Sequence, residues 1–216
     1  MNPRNGVIGF LLFLIGTHGW AHSCSFHGSL YELRQHPKLQ LLRSPTEFRR
    51  RWGYQAQRGG PVVLRHGTIV EGSIDAGGLQ PHYIIDFSDP TLHEFLKIPR
   101  QLKYHDMPRW RKITTVITHV RQHLGKNWQY GNSTYRSLLE HYRTGHQNIS
   151  LGEFVRLQCG VCREHAMLTH LALIAAGIPN EFILVSAYNR QRNSFEDHAL
   201  VLTPDRHGEE WIVDSY

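Results

Sequence analysis

The run from Cys162 to Ala176 (CREHAMLTHLALIAA) constrains this chain more than any other segment. Ala166, Leu168, Leu171, Leu173 and Ile174 give it an apolar helical face. Gly177 follows as a residue suited to the left-handed turn after a helix, and Pro179 keeps the helix from resuming. Three segments then read as strands: Glu181 to Ala187 (EFILVSA), His198 to Thr203 (HALVLT) and Glu210 to Val213 (EWIV). Asp205 to Gly208 reads as a hairpin turn between the last two.

More helices are expected upstream. Trp110, Ile113, Ile117, Val120 and Leu124 recur at steps of three and four, between Pro108 as start and Gly125 as stop. A second helix is expected over Thr134 to Thr144, with Tyr135, Leu138, Leu139 and Tyr142 inward and Gly145 as stop. Ser150 with Glu153 reads as a capping box opening a short third helix. Helices followed by an antiparallel sheet make the class α+β. Nearer the N-terminus the signals are weaker. Leu30 to Leu42 and Thr46 to Trp52 read as short helices, Pro61 to Val70 as a strand pair around Gly67, and Tyr83 to Phe87 as a strand.

The N-terminus bears on compartment. Arg4 precedes a short apolar core, Val7 to Ile15, and small residues follow at Gly19, Ala21 and Ser23. That is the pattern of a signal peptide over residues 1–23, and it implies a secreted or periplasmic (cell-envelope) protein. The apolar run is too short to span a bilayer comfortably and no second one exists, so no stable membrane span is expected after cleavage. The remaining 193 or so residues, with 40% hydrophobic content overall, suit one globular domain of ordinary size. The formal charge of +6 and sequence pI of about 9.4 favour acidic partners or surfaces. The cations are scattered, without a basic stripe interleaved with aromatics, so nucleic acid is not an expected partner.

Chemistry gathers in the C-terminal half. A thiol is nucleophilic as thiolate, and the unpaired N–H groups at a helix N-terminus favour that form. Cys162 stands where Gly160-Val161 break the preceding segment and a helix begins. His198 opens a strand, and Asp214 ends the next one. A hairpin around Asp205–Gly208 brings these two roughly opposite each other, as a base and its orienting carboxylate require. Asp197 is a rival carboxylate, but neighbours along a strand point to opposite faces. Cys162 as nucleophile, His198 as base and Asp214 as orienter thus form a set that geometry can assemble.

Gly160-Val161-Cys162-Arg163-Glu164-His165-Ala166, Ala176-Gly177-Ile178-Pro179, His198-Ala199-Leu200-Val201 and Trp211-Ile212-Val213-Asp214-Ser215, in that order, resemble the transglutaminase-like superfamily. The resemblance covers roughly residues 110 to 216. It implies a papain-like/transglutaminase-like core over residues 108–216, preceded by a portion of unnamed role over 24–107. It also implies acyl transfer through a cysteine thioester on protein or peptide amides, as a transglutaminase, glutamine deamidase or cysteine peptidase. Cys162, His198 and Asp214 match the family's catalytic positions. The backbone N–H of Cys162 is the expected oxyanion donor, with Trp128 or Gln129 as candidate side-chain donors. The family's sheet usually continues past its aspartate, so either a small sheet or one completed by N-terminal strands is expected here. No metal or organic cofactor is implied; the partner is a protein or peptide substrate, with an acidic one favoured by the charge.

Three other readings compete. Cys159-Gly160-Val161-Cys162 has the spacing of a thiol–disulfide exchange pair at a helix start. Cys159, Cys162, His165 and His170 have metal-ligand chemistry, though their spacing matches no familiar finger. A transglutaminase-like domain without activity would be a binding module. The third cysteine, Cys24, leaves two pairings open: Cys24–Cys159, which spares Cys162, or Cys159–Cys162, which blocks it.

Overall fold

The computed structural model describes residues 30–32, 39–41, 63–72, 74–75, 78–125, 131–189, 194–208 and 210–216. The fold is α+β, and its centre is a helix, α6 (Cys162–Ala175). Its residues from Glu164 to Leu173 are all buried, so it is surrounded on every side instead of presenting one apolar face. It packs against the strands β8 (Glu181–Asn189) and β9 (Ser194–Pro204), and against α2 (Lys97–Leu102), α3 (Arg109–Leu124) and α5 (Leu151–Leu157). Ile174, expected to face inward, is 40% exposed at the last turn. Gly177 takes φ +75 and closes the helix.

The sheet beside α6 has five strands in the order β1 (Leu30–Glu32), β10 (Glu210–Val213), β9, β8, β2 (Leu39–Leu41) and is antiparallel throughout. β8, β9 and β10 form a meander, with the β9–β10 turn held by Gly208 N–H to the Asp205 carbonyl and by His207 N–H to Asp205 Oδ1. The edges come from the N-terminal part: β1 pairs with β10 and β2 with β8. Of the two expected arrangements, the sheet completed by N-terminal strands is the one found. It also corrects the expected helix over Leu30 to Leu42. The alternation in LYE and LQL is too short to override helix-like spacing locally, and pairing with distant strands decides the conformation.

Two further pieces flank the helices. β3 (Ile69–Val70) pairs antiparallel with β6 (Tyr83–Ile84), which pairs parallel with β7 (Ile149–Ser150); β4 (Ile74–Asp75) and β5 (Gly78–Leu79) form a ribbon. Gly67, at φ +78, sits in the expected turn, but β3 pairs with β6 instead of folding back on the residues before it. The expected strand Tyr83 to Phe87 shortens to two residues. The region Thr46 to Trp52 lies outside the described residues.

The helices follow their sequence signals closely. α3 starts after Pro108, ends at Gly125 (φ +66), and buries Ile113, Ile117, Val120 and Leu124. Trp110 is 55% exposed, because the first turn of α3 projects past the core. α4 (Ser133–Thr144) buries Tyr135, Leu138 and Leu139, with Asn132 as cap accepting from Tyr135 N–H. Ser150 caps α5 by accepting from Gly152 N–H, but the capping box is incomplete, since Glu153 pairs with Arg156. Ser150 also donates to Asp89, the cap of α1 (Pro90–Phe95), which accepts from Thr91 and Leu92 N–H. Among the described residues no helix is long and apolar enough to cross a membrane.

Candidate active site

Cys162 is the first residue of α6, and the turn in front of it is built for close approach. A side chain at Gly160 would press on Glu164 and Leu124. The Val161 N–H is taken by Glu164 Oε2 at 2.8 Å, so the helix's own third residue ties down its entry. Tyr135 donates its hydroxyl to Glu164 Oε1 at 3.3 Å. Burial pushes the Glu164 carboxyl up, against the backbone bond from Val161 and the charge of Arg163. The acidic member of the Cys-Arg-Glu-His run is therefore a brace for the cysteine's backbone. Cys162 itself is 6% exposed.

His198 lies in β9, opposite Val185 of β8. The β9–β10 register pairs Val201 with Val213, so one step further Asp214 is level with Leu200 and shares a face with His198. The two are diagonal neighbours across the ladder, and the reach suffices: His198 Nε2 meets Asp214 Oδ2 at 2.7 Å. The imidazole also hydrogen-bonds the Cys162 thiol. With Nε2 occupied by the carboxylate, Nδ1 is the nitrogen left for sulfur. Burial alone would lower the His198 pKa. The charge and hydrogen bond of Asp214, with those of Cys162, outweigh it and raise the group to about 10. The three residues singled out from sequence are thus brought together, with His198 in the middle.

The segment after β10 is pinned to the nucleophile's helix. The Ser215 hydroxyl lies 2.8 Å from Thr169 Oγ1 and 3.2 Å from His165 Nδ1, and it also donates to the His165 carbonyl. Arg121 of α3 donates to the Ser215 carbonyl. Tyr216 donates its backbone N–H to Asp214 Oδ1 at 3.0 Å, so the two carboxylate oxygens have different partners. Sequence reasoning considered His165 only as a metal ligand and assigned no role to Thr169, Ser215 or Tyr216. A signal for His165 and Thr169 existed: with Cys162 they are spaced by three and four and so fall on one face of the helix. Ser215 and Tyr216 carried no comparable signal.

The residues of the competing readings are engaged separately. His170 accepts from Leu64 N–H at Nε2 and meets Asn180 Oδ1 at 2.7 Å through Nδ1, while His165 faces Ser215. Among the described residues no cluster of histidine, cysteine and acidic side chains is arranged to hold a metal ion. Cys159 is fully buried, and desolvation, with the charge of Glu164, pushes its thiol up to about 12. Neither Cys159 nor Cys162 is in a disulfide. Cys24, Trp128 and Gln129 lie outside the described residues, as does the segment 1–23. Asp197 pairs with Ser186 in the backbone ladder.

No curated protein matches the chain. Two structures of the periplasmic domain of TgpA from Pseudomonas aeruginosa, one of them bound to ethylmercury, resemble it at 15% and 17% sequence identity. The matches cover 57% and 59% of this chain and 44% and 42% of those chains, with TM-scores of 0.38 and 0.37. This chain thus spans less than half the length of those structures. The family model described as transglutaminase-like domain matches residues 97–215, more than half of the 216 residues. The chain belongs to the transglutaminase-like domain family.

Proposed function

We propose that the chain is a thiol acyl-transfer enzyme acting on protein or peptide amides, with Cys162 as nucleophile, His198 as proton carrier and Asp214 as orienter. The observation that carries this reading is the buried His198 imidazole, bonded to Asp214 through Nε2 and to the thiol at the start of α6. As the sulfur attacks, its proton passes to His198, whose imidazolium the Asp214 carboxylate stabilises. The sulfur attacks an amide carbonyl, forming a C–S bond and an oxyanion that the Cys162 N–H can meet. His198 then gives its proton to the leaving nitrogen as the C–N bond breaks, leaving a thioester. Water or an amine attacks that thioester, His198 takes the proton of the attacker, and the cysteine is regenerated.

Residues 1–23 support placing the protein outside the cytoplasm, and the +6 charge supports an acidic substrate. Thiol–disulfide exchange is disfavoured by Cys159, whose buried thiol is a poor partner for a solvent-borne disulfide. The test compares the reduced protein with Cys162→Ala and Cys159→Ala on a glutamine-rich protein, with and without a labelled primary amine. Amine incorporation, ammonia release and peptide cleavage are scored together. Cys162→Ala should lower whichever activity is present by at least about 10³-fold, and Cys159→Ala should retain it. Loss in Cys159→Ala instead, or disulfide exchange alone, would replace the acyl-transfer reading with the redox one.

A further inference from the structure

We propose that Tyr216 is a positioning residue of the site, its ring excluding water from the His198–Asp214 pair while its backbone N–H fixes the carboxylate. The inference rests on the acyl-transfer reading for its purpose, but not for its test. Asp214 is 2% exposed and His198 8%, whereas Tyr216, beside His198, is half-buried and thus lies nearer the solvent. Its ring centroid lies 6.1 Å from that of His198 at an interplanar angle of 43°, and 5.4 Å from that of His165, edge to face. Its N–H holds Asp214 Oδ1 at 3.0 Å.

The placement is over-determined. Ser215, the residue between, bonds the helix at His165 and Thr169 and is held from the other side by Arg121. The backbone that carries the ring is therefore fixed against α6 and α3. Water admitted beside an ion pair weakens its attraction, because screening rises steeply with local dielectric. The groups that face this ring or the imidazole are Cys162, Glu164 and His165 on α6, His198 in β9 and Asp214 just after β10, with Arg121 of α3 acting on His165. Of these, Cys162 and Asp214 favour the imidazolium, and His165 is held neutral by burial, its pKa lowered to about 3. Tyr216 is the member whose removal opens the pair while leaving every charge in place.

The test is an NMR titration of the His198 imidazole in the full chain, in wild type, Tyr216→Phe and Tyr216→Ala. The variants keep the backbone N–H, so only the ring changes. In wild type and Tyr216→Phe the Nε2 proton should be protected from solvent and visible downfield. In Tyr216→Ala it should broaden by exchange, and the deprotonation midpoint should fall by on the order of one pH unit. Thermal unfolding of the three establishes that Tyr216→Ala is folded. If it is not, Tyr216→Val, which also removes the ring, takes its place. A His198 proton equally protected in the alanine or valine variant, with an unmoved midpoint, would overturn the proposal. If the imidazole responds as expected but no variant or wild type transfers an acyl group, the shield stands and the acyl-transfer reading fails.

Discussion

At the scale of single residues, His198 is the group on which the site turns, because its protonation depends on two partners from two different elements. Its folded pKa is raised from 6.5 to about 10, so the stabilisation from its contact with Asp214 is complete below pH 6.5. That contribution declines as pH rises through the folded value and is gone above it. Asp214→Asn keeps an acceptor for Nε2 but removes the charge. The melting-temperature gap between wild type and Asp214→Asn should therefore be widest near pH 6.5 and shrink toward pH 10. A gap that stays constant over that range would mean that the pair is neutral in the folded protein. Sequence named these residues because Cys, His and Asp stand at element ends that a helix and a hairpin can bring together. It did not predict which imidazole nitrogen meets the carboxylate, since that is set by the side-chain torsions His198 adopts in the packed site. Nor did it assign roles to Glu164 and Ser215, whose importance lies in hydrogen bonds to backbone atoms far off or out of pattern.

At the scale of elements, the starts of α1 and α5 share one cap. Asp89 accepts from the first turn of α1 and also from the hydroxyl of Ser150, which itself caps α5. Asp89→Ala removes acceptors for Thr91 and Leu92 and leaves Ser150 without its carboxylate, so it should destabilise the fold by about 2 kcal/mol in denaturant unfolding. Gly152→Ala should act in the same direction, since a Cβ there would lie inside contact distance of the Asp89 carboxylate. If Asp89→Ala cost only a few tenths, the two caps would be independent. The helices themselves were legible because a period of three to four, a start residue and a glycine stop coincide in α3, α4 and α6. The short strands were not, because two or three residues carry no periodicity of their own and take their conformation from whatever they pair with. Trp110 and Ile174 went outward because a helical face predicts burial only where another element covers it.

For the whole molecule, the dominant fact is that α6 is enclosed on all sides, so its polar residues are buried with it. His165 and His170 are forced to stay neutral there, with pKa values lowered by desolvation to about 3 and about 4. Protonating His170 would also remove the acceptor for Leu64 N–H. The unfolded chain takes up protons at these histidines below pH 6.5 and the folded chain does not, so stability falls with acid. Each should contribute about 1.4 kcal/mol per pH unit between roughly pH 6 and pH 4.5. Denaturant unfolding at pH 6.5, 5.5 and 4.5 would measure this slope, and His170→Gln should reduce it by one histidine's share. An unchanged slope in that variant would place the acid sensitivity elsewhere.

The sequence by itself determined the α+β class, the positions of α3, α4 and α6, the three strands of the C-terminal meander, and the three side chains that meet at the start of α6. These are properties of local periodicity, of breakers, and of an order of chemical groups that one hairpin can close. Only the tertiary structure decided that β1 and β2 complete the sheet from its two edges, that Glu164 braces the cysteine's turn, and that Ser215 and Tyr216 close over the aspartate. Those contacts join residues from 2 to more than 150 positions apart in the chain. Their free energy is realised only when the helix is already enclosed, and no local pattern records that.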